Sequence, residues 1–231
     1  MKQPKYVIIV AGGKGQRMGA DIPKQFLHLA GMPILMHTIK AFKDYDNEIQ
    51  IILVLPKHQQ EYWKELCDKY SFSEALTIAD GGETRFHSVK NGLALIPNDV
   101  EGIVGVHDGV RPFPSVEAIS RVYDKAMEMG AAVPVAPVVD TLRHVSGNLR
   151  SETVPRGEYR IVQTPQAFSI QLLKKAYAQE YCEAFTDDAS VVEHLGHDVA
   201  LVDGNNENIK ITMPFDMLVA NAIIQNSKAG K

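Results

Sequence analysis

Short runs of consecutive apolar, β-branched residues alternate along this chain with longer stretches in which apolar positions recur every three or four residues. The runs are YVIIV (6–10), IQIILVL (49–55), ALTIA (75–79), GIVGVH (102–107) and AAVPVAPV (131–138), and their length and composition predict strands of a mostly parallel sheet. Between them, Ile34, Leu35, Ile39 and Phe42, then Tyr62, Trp63, Leu66 and Tyr70, then Phe86, Val89 and Leu93 fall at helical spacing and predict amphipathic crossover helices. Pro33 and Pro114 are placed in first helical turns, where a missing N–H costs nothing. The pattern predicts an α/β fold: a single Rossmann-like, mostly parallel twisted sheet with helices on both faces.

From Asp140 to Gln163 the rhythm breaks into scattered alternation with four arginines. This stretch, about 140–163, is expected to be an extended β-arm protruding from one domain that spans 1–231. An arm of strand-like residues can pair with a second copy, so a homodimer is expected. The remaining chain reads as a helix over about 169–178, a helix over about 187–195, a strand near 200–202, a strand at NIKIT (208–212) and a closing helix from Pro214.

Composition narrows the functional classes. Lys plus Arg number 24 against 28 Asp plus Glu, a net charge of −4, which lacks the basic footprint of a duplex nucleic-acid binder. The longest apolar run, Ala131 to Val139, holds two prolines and falls far short of the ~20 residues a membrane helix needs. The start MKQPKYVIIVAGG lacks the apolar core and cleavage site of a secretory signal, and a cytoplasmic location is expected. Cys67 and Cys182 are the two cysteines, which fits reduced thiols rather than a disulfide framework or zinc site.

The segment AGGKGQRMGADIPKQF (11–26) follows the first strand. Its glycines let backbone N–H groups surround phosphate oxygens. No Gly-Lys-Ser/Thr closes a Walker loop, and Met18 stands where a dinucleotide fingerprint requires Gly, so neither a P-loop ATPase nor an NAD enzyme is indicated. Arg17 and Lys24 instead place two cations at the carboxyl end of a strand, a setting that suits a polyphosphate. VHDGVRPF (106–113) puts Asp108 on the same rim, where a carboxylate can hold Mg²⁺ with substrate phosphates completing its shell. The same spacing also fits a turn in which Asp108 and Arg111 pair with each other. Ser190, Asp188 and His194 are neighbours on one helix and do not make a triad; His194 and His197 are too few for a catalytic zinc.

GGxGxRMGxxxPKQF, HDxxRP, TPQAF (164–168), TDDAS (186–190) and NIKIT occur in this order and resemble the 2-C-methyl-D-erythritol 4-phosphate cytidylyltransferase family over nearly the whole chain. The resemblance implies a sugar-nucleotide-transferase-like fold and transfer of the cytidylyl group of CTP to methylerythritol phosphate in non-mevalonate isoprenoid synthesis. It implies that Arg17 and Lys24 stabilise charge on the CTP phosphates in the transition state. Lys210 and Arg156 would position the acceptor phosphate, with Arg156 supplied by the partner subunit's arm. Ala11, Gly12, Gly13, Gly15, Gly82, Glu83 and Ser88 would bind CTP, and Asp108, Arg111, Thr141, Thr164 and Thr186 the acceptor. Asp108 and Glu207 would serve Mg²⁺. Because the nucleophile is already an anionic phosphate oxygen, the reaction needs positioning and charge neutralisation more than a general base.

Two segments depart from the family pattern. Gly109 and Val110 replace the alanines of HDAARP, and HDGVRPF is similar to ribitol 5-phosphate cytidylyltransferases, an alternative acceptor class. Glu207 stands where an aspartate is frequent. A non-catalytic nucleotide-binding regulator would keep the glycine loop without reason to keep Arg17, Lys24, Arg156 and Lys210 together.

Overall fold

The computed structural model describes residues 3–13, 22–147 and 150–229. Strand β1 (Lys5–Val10) leads, through a 3-10 turn at Lys24–Phe26 and a small ladder of β2 (His28–Leu29) and β3 (Met32–Pro33), into α1 (Ile34–Tyr45). The alternation continues with β4 (Gln50–Leu55), α2 (Lys57–Tyr70), β5 (Thr77–Asp80), α3 (Arg85–Leu93), β6 (Ile103–Asp108), α4 (Val116–Met129) and β7 (Ala131–Pro137). A hairpin of β8 (Leu142–Ser146) and β9 (Arg150–Val154) follows, then β10 (Arg160–Val162), β11 (Gln166–Ser169), α5 (Ile170–Ala176), α6 (Asp188–His194), β12 (Ala200–Asp203) and α7 (Pro214–Ala229).

The main sheet runs β10-β7-β11-β6-β1-β4-β5, with β12 also on β7. β1, β4, β5 and β6 are mutually parallel, as are β7 and β12, while β10 and β11 pair antiparallel. Ala132 and Val135 are each paired on both sides, so β10 and β11 share one edge of β7 and β12 takes the other. Because successive strand side chains point to opposite faces, Val7, Ile9, Ile51 and Leu53 pack under α1, α2 and α4. Tyr6, Ile8, Ile52 and Val54 pack under α3, α5 and α6. Both faces are covered, as the long apolar runs require.

Three sequence expectations change. Pro33 is the residue before α1, and Pro114 precedes Ser115, whose hydroxyl caps α4; both prolines lie just outside the first turn. The arm is the β8–β9 hairpin, which among the described residues pairs only with itself, whereas residues 160–162 return to the sheet edge. NIKIT is not a strand. Its backbone is spoken for by other partners: Asn208 O accepts from Arg111 and Ile211 N–H donates to Val110 O, while Thr212 N–H donates to the Asp216 carboxylate. The β-branched alternation of this segment instead seats Ile209 and Ile211 against α7 and Val110.

At the sheet centre, the Tyr123 hydroxyl is fully buried and donates to Tyr6 O at 2.7 Å. It fits because Gly105 has no side chain; a Cβ there would lie 2.4 Å from that oxygen. Gly105→Ala is therefore expected to cost about 2 kcal/mol through overpacking, read as a lowered urea midpoint. An unchanged midpoint would mean that α4 shifts freely over the sheet.

Candidate active site

β1 sends the chain to β4 on one side, while β6 arrives on its other side. Such a reversal opens a crevice at the carboxyl ends of the strands, and a cleft of about 300 Å³ lies there. One wall is the 11–13 loop with Lys24 and Gln25, the other is the 81–85 segment with Ser88, and Asp108, Val110 and Lys210 line the space between. Gln25 holds the first wall: its amide donates to Ala11 O at 2.7 Å and to Gln59 Oε1 at 2.8 Å. On the second wall, the Gly82 N–H donates to Ser88 Oγ, and that hydroxyl donates to Thr84 O.

Asp108 is the centre of charge. Its carboxylate lies 3.0 Å from Lys210 Nζ, 3.1 Å from Arg111 Nε and 3.8 Å from Arg85 Nε. Burial alone would raise its pKa, but Arg85, Lys210 and Arg111 together hold it well below the usual carboxylate range. Both readings of the HDxxR spacing thus meet in one place, for Asp108 pairs with Arg111 and also faces the cleft. Arg111 donates further to Asn208 O at 2.9 Å, which carries the 208–210 segment and Lys210 to the site.

Beneath Asp108 runs a directional chain. The Asp108 N–H donates to Thr164 Oγ1 at 3.2 Å, Thr164 is 3.0 Å from His107 Nδ1, and His107 Nε2 is 2.9 Å from Arg111 O. A carbonyl only accepts, so Nε2 carries the imidazole proton and Nδ1 accepts from the threonine. Thr164 is buried here; its hydroxyl orients the backbone of Asp108.

The structure brings Ala11, Gly12, Gly13, Lys24, Gly82, Glu83, Ser88, Asp108 and Lys210 to one cleft, with Arg111 and Thr164 directly behind. Gly15 and Arg17 lie outside the described residues. Thr141 is exposed at the foot of the hairpin, Thr186 is exposed in the turn before α6, and Arg156 is exposed beyond β9 with its guanidinium donating to Val139 O. None of these three lines the cleft. Glu207 is also outside it, its carboxylate accepting from Asn205 at 3.1 Å. Ser190 and Asp187 form a reciprocal cap of α6, which accounts for that serine without chemistry. Sequence reasoning missed Arg85, which joins the cleft to Asp188 across 103 positions. No local spacing announces such a pair.

A parallel-sheet crevice carrying glycine-loop amides and a cluster of cations defines an α/β nucleotidyltransferase, an enzyme that works on phosphates. The family model for IspD, 2-C-methyl-D-erythritol 4-phosphate cytidylyltransferase, matches residues 6–226. A protein of Phocaeicola vulgatus with that name is 60% identical over 220 residues, covering 95% of this chain and 99% of the relative. Among solved structures, 4-diphosphocytidyl-2C-methyl-D-erythritol synthase from Anaerococcus prevotii superposes with a TM-score of 0.81 at 29% identity over 96% of each chain. The Thermus thermophilus 2-C-methyl-D-erythritol 4-phosphate cytidylyltransferase gives 0.74 at 33% identity, over 97% of this chain and 100% of that one. The chain belongs to the 2-C-methyl-D-erythritol 4-phosphate cytidylyltransferase family.

His107 makes the site's support sensitive to acid. Burial lowers its pKa to about 4, against the ordinary 6.5. The unfolded chain therefore takes up a proton that the folded one refuses, and the stability present above pH 6.5 is lost as pH falls toward 4. The unfolding free energy from urea titration is expected to drop between pH 7 and pH 5 by up to about 1.4 kcal/mol per pH unit inside that window. His107→Gln should flatten this slope; an equally steep slope in the variant would assign it to other groups.

Proposed function

We propose that this enzyme transfers the cytidylyl group of CTP to 2-C-methyl-D-erythritol 4-phosphate, releasing pyrophosphate. The observation that carries the reading is the cation ring on Asp108 facing the glycine-loop wall, in a chain 60% identical to a protein named for that activity. An acceptor phosphate oxygen attacks the α-phosphorus, a new P–O bond forms, and the bond to the bridging oxygen of the β-phosphate breaks. Lys24 and the N–H groups of residues 11–13 neutralise charge gathering on the donor phosphates. The 82–88 wall seats the nucleoside, and Lys210 holds the acceptor phosphate in line.

Among the described residues, no three His, Cys, Asp or Glu side chains gather into a metal cage, while Asp108 offers one firmly ionised carboxylate in the cleft. This donor set fits Mg²⁺, which is commonly bound by one or two carboxylates plus substrate phosphates. Asp108 is the protein ligand in this reading; Glu207, turned to Asn205, is not. Bound there, the ion supplies further neutralisation of the triphosphate.

The active form in this reading is a homodimer in the cytoplasm. An isolated two-stranded hairpin is marginal in water, and this one carries Val145 exposed on β8 with Val139 exposed at its foot. A second copy that covers the hairpin stabilises it and brings Arg156 to a neighbouring cleft.

The acceptor assignment favours methylerythritol phosphate over ribitol phosphate. At position 109 a Cβ would sit 2.9 Å from that of Ala11 and 3.2 Å from Leu35 Cδ1, and Val110 packs with Ile211 and α7. Gly109 is thus accounted for by its close approach to Ala11 and Leu35, and Val110, which also lines the cleft, by its packing on Ile211 and α7. Purified protein with CTP and Mg²⁺ is expected to release pyrophosphate with methylerythritol 4-phosphate at least 100-fold more efficiently than with ribitol 5-phosphate, and the opposite preference would reverse the assignment. Lys24→Ala should lower turnover by about 10²–10³ with little change in melting temperature. Mixing folded Arg156→Ala and Lys24→Ala proteins should restore part of the activity through hybrid dimers; no recovery after demonstrated subunit exchange would exclude shared sites.

A further inference from the structure

Arg85 is one of the cations around Asp108, but the mechanism above gives no substrate contact to it and no role to Asp188 and Tyr177 behind it. Arg85 is the first residue of α3 and lines the nucleotide wall of the cleft. Its Nη2 donates to Asp188 Oδ2 at 2.6 Å, its only hydrogen bond among the described residues, and Asp108 lies 3.8 Å from its Nε. Asp188 is 0% exposed, and its other oxygen accepts from the Tyr177 hydroxyl at 2.6 Å. The tyrosine ring stacks on Phe86 at 4.6 Å, which fixes the hydroxyl against the same helix that carries Arg85. Burial opposes charge on Arg85, but Asp188 and then Asp108 outweigh it and keep the guanidinium firmly protonated.

A fully buried carboxylate is a poor device for stability, since removing the pair for apolar residues often costs nothing. It is a good device for aim. With one fork position held by Asp188 and the plane fixed, the remaining N–H donors of the five on a guanidinium are presented between the 82–88 wall and Asp108. Phosphate oxygens match that planar donor set.

We propose that Arg85 is a further catalytic residue that contacts the phosphates of the bound nucleotide during transfer, and that Asp188 and Tyr177 are positioning residues that aim it. The inference rests on CTP being the donor. It also gives a role to the second aspartate of TDDAS, in the segment that Gln166 clamps by donating to Asp187 at 2.7 Å and accepting from Ala189 N–H at 2.9 Å.

The test compares parent, Arg85→Lys and Tyr177→Phe by calorimetric CTP binding with Mg²⁺, by pyrophosphate release with methylerythritol 4-phosphate, and by melting temperature. Lysine keeps the charge but cannot hold Asp188 and reach phosphate at once. Arg85→Lys is expected to weaken CTP binding about tenfold and to lower kcat at least tenfold. Tyr177→Phe keeps the ring on Phe86 but leaves one oxygen of the buried Asp188 without its donor; it should lower the melting temperature and, assayed well below that temperature, lower kcat several-fold. A folded Arg85→Lys protein that binds CTP and turns over within twofold of the parent would overturn the proposal. If Arg85→Lys does not fold, Tyr177→Phe decides, and parental kcat there overturns it. A parent that binds CTP yet releases no pyrophosphate sinks the acceptor assignment, and the binding comparison still judges Arg85; a parent that does not bind CTP overturns both.

Discussion

Arg85, Arg111 and Lys210 converge on a single carboxylate at the end of β6, and the rest of the site follows from that convergence. Three cations this close repel one another, and their approach is tolerable only around a fixed anion. Asp108 in turn is mostly buried, and an uncompensated carboxylate there would cost several kcal/mol in lost hydration. Each side solves the other's problem. The result is a positive field assembled before any ligand arrives, so binding phosphate does not require cations to be gathered from solvent. Lys210, whose side chain is 43% exposed against 12% for Arg111, is the member freest to turn from Asp108 to an incoming phosphate.

Holding that carboxylate requires parts of the chain that are distant in sequence. Asp108 ends a central strand, yet its N–H is held by Thr164, and Asn208 donates to Thr164 O at 2.7 Å while receiving Arg111 on its own carbonyl. A closed circuit of hydrogen bonds thus joins 107–111, 164 and 208. In NIKIT the Asn208 carbonyl accepts from the Arg111 guanidinium, and this bond anchors the segment to the site. The neutral His107 at the bottom of the circuit belongs to the same arrangement, because burial there disfavours an imidazolium.

The central strands were legible because burial on both faces leaves continuous apolar runs, and β1, β4 and β6 lie within a residue or two of YVIIV, IQIILVL and GIVGVH. The glycine-loop wall and Asp108 were legible for a related reason: chemistry at strand ends sits beside an unmistakable strand. β11 was not, since its four residues begin with the buried Gln166 and carry no run, and the antiparallel insertion between β6 and β7 left no trace in local pattern. NIKIT misled because hydrophobic alternation records that Ile209 and Ile211 are buried, and says nothing of what their backbone pairs with. Arg85 was hidden for the deepest reason. Its meaning depends on Asp188, and an ion pair between two helix starts has no periodicity to read.

The same contrast explains how motifs far apart can act as one site. TPQ supplies Thr164 to the backbone of Asp108 and Gln166 to the α6 start; TDDAS supplies Asp187 to Gln166 and Asp188 to Arg85. Both ends of this assembly reach Asp108, one through its N–H and the other through the guanidinium beside its carboxylate. A reaction whose nucleophile is already anionic places no demand for a proton acceptor on such a site. It demands that fixed charges stand at the correct places before substrate binds, and long-range hydrogen bonds among rigid elements place them more accurately than any single loop.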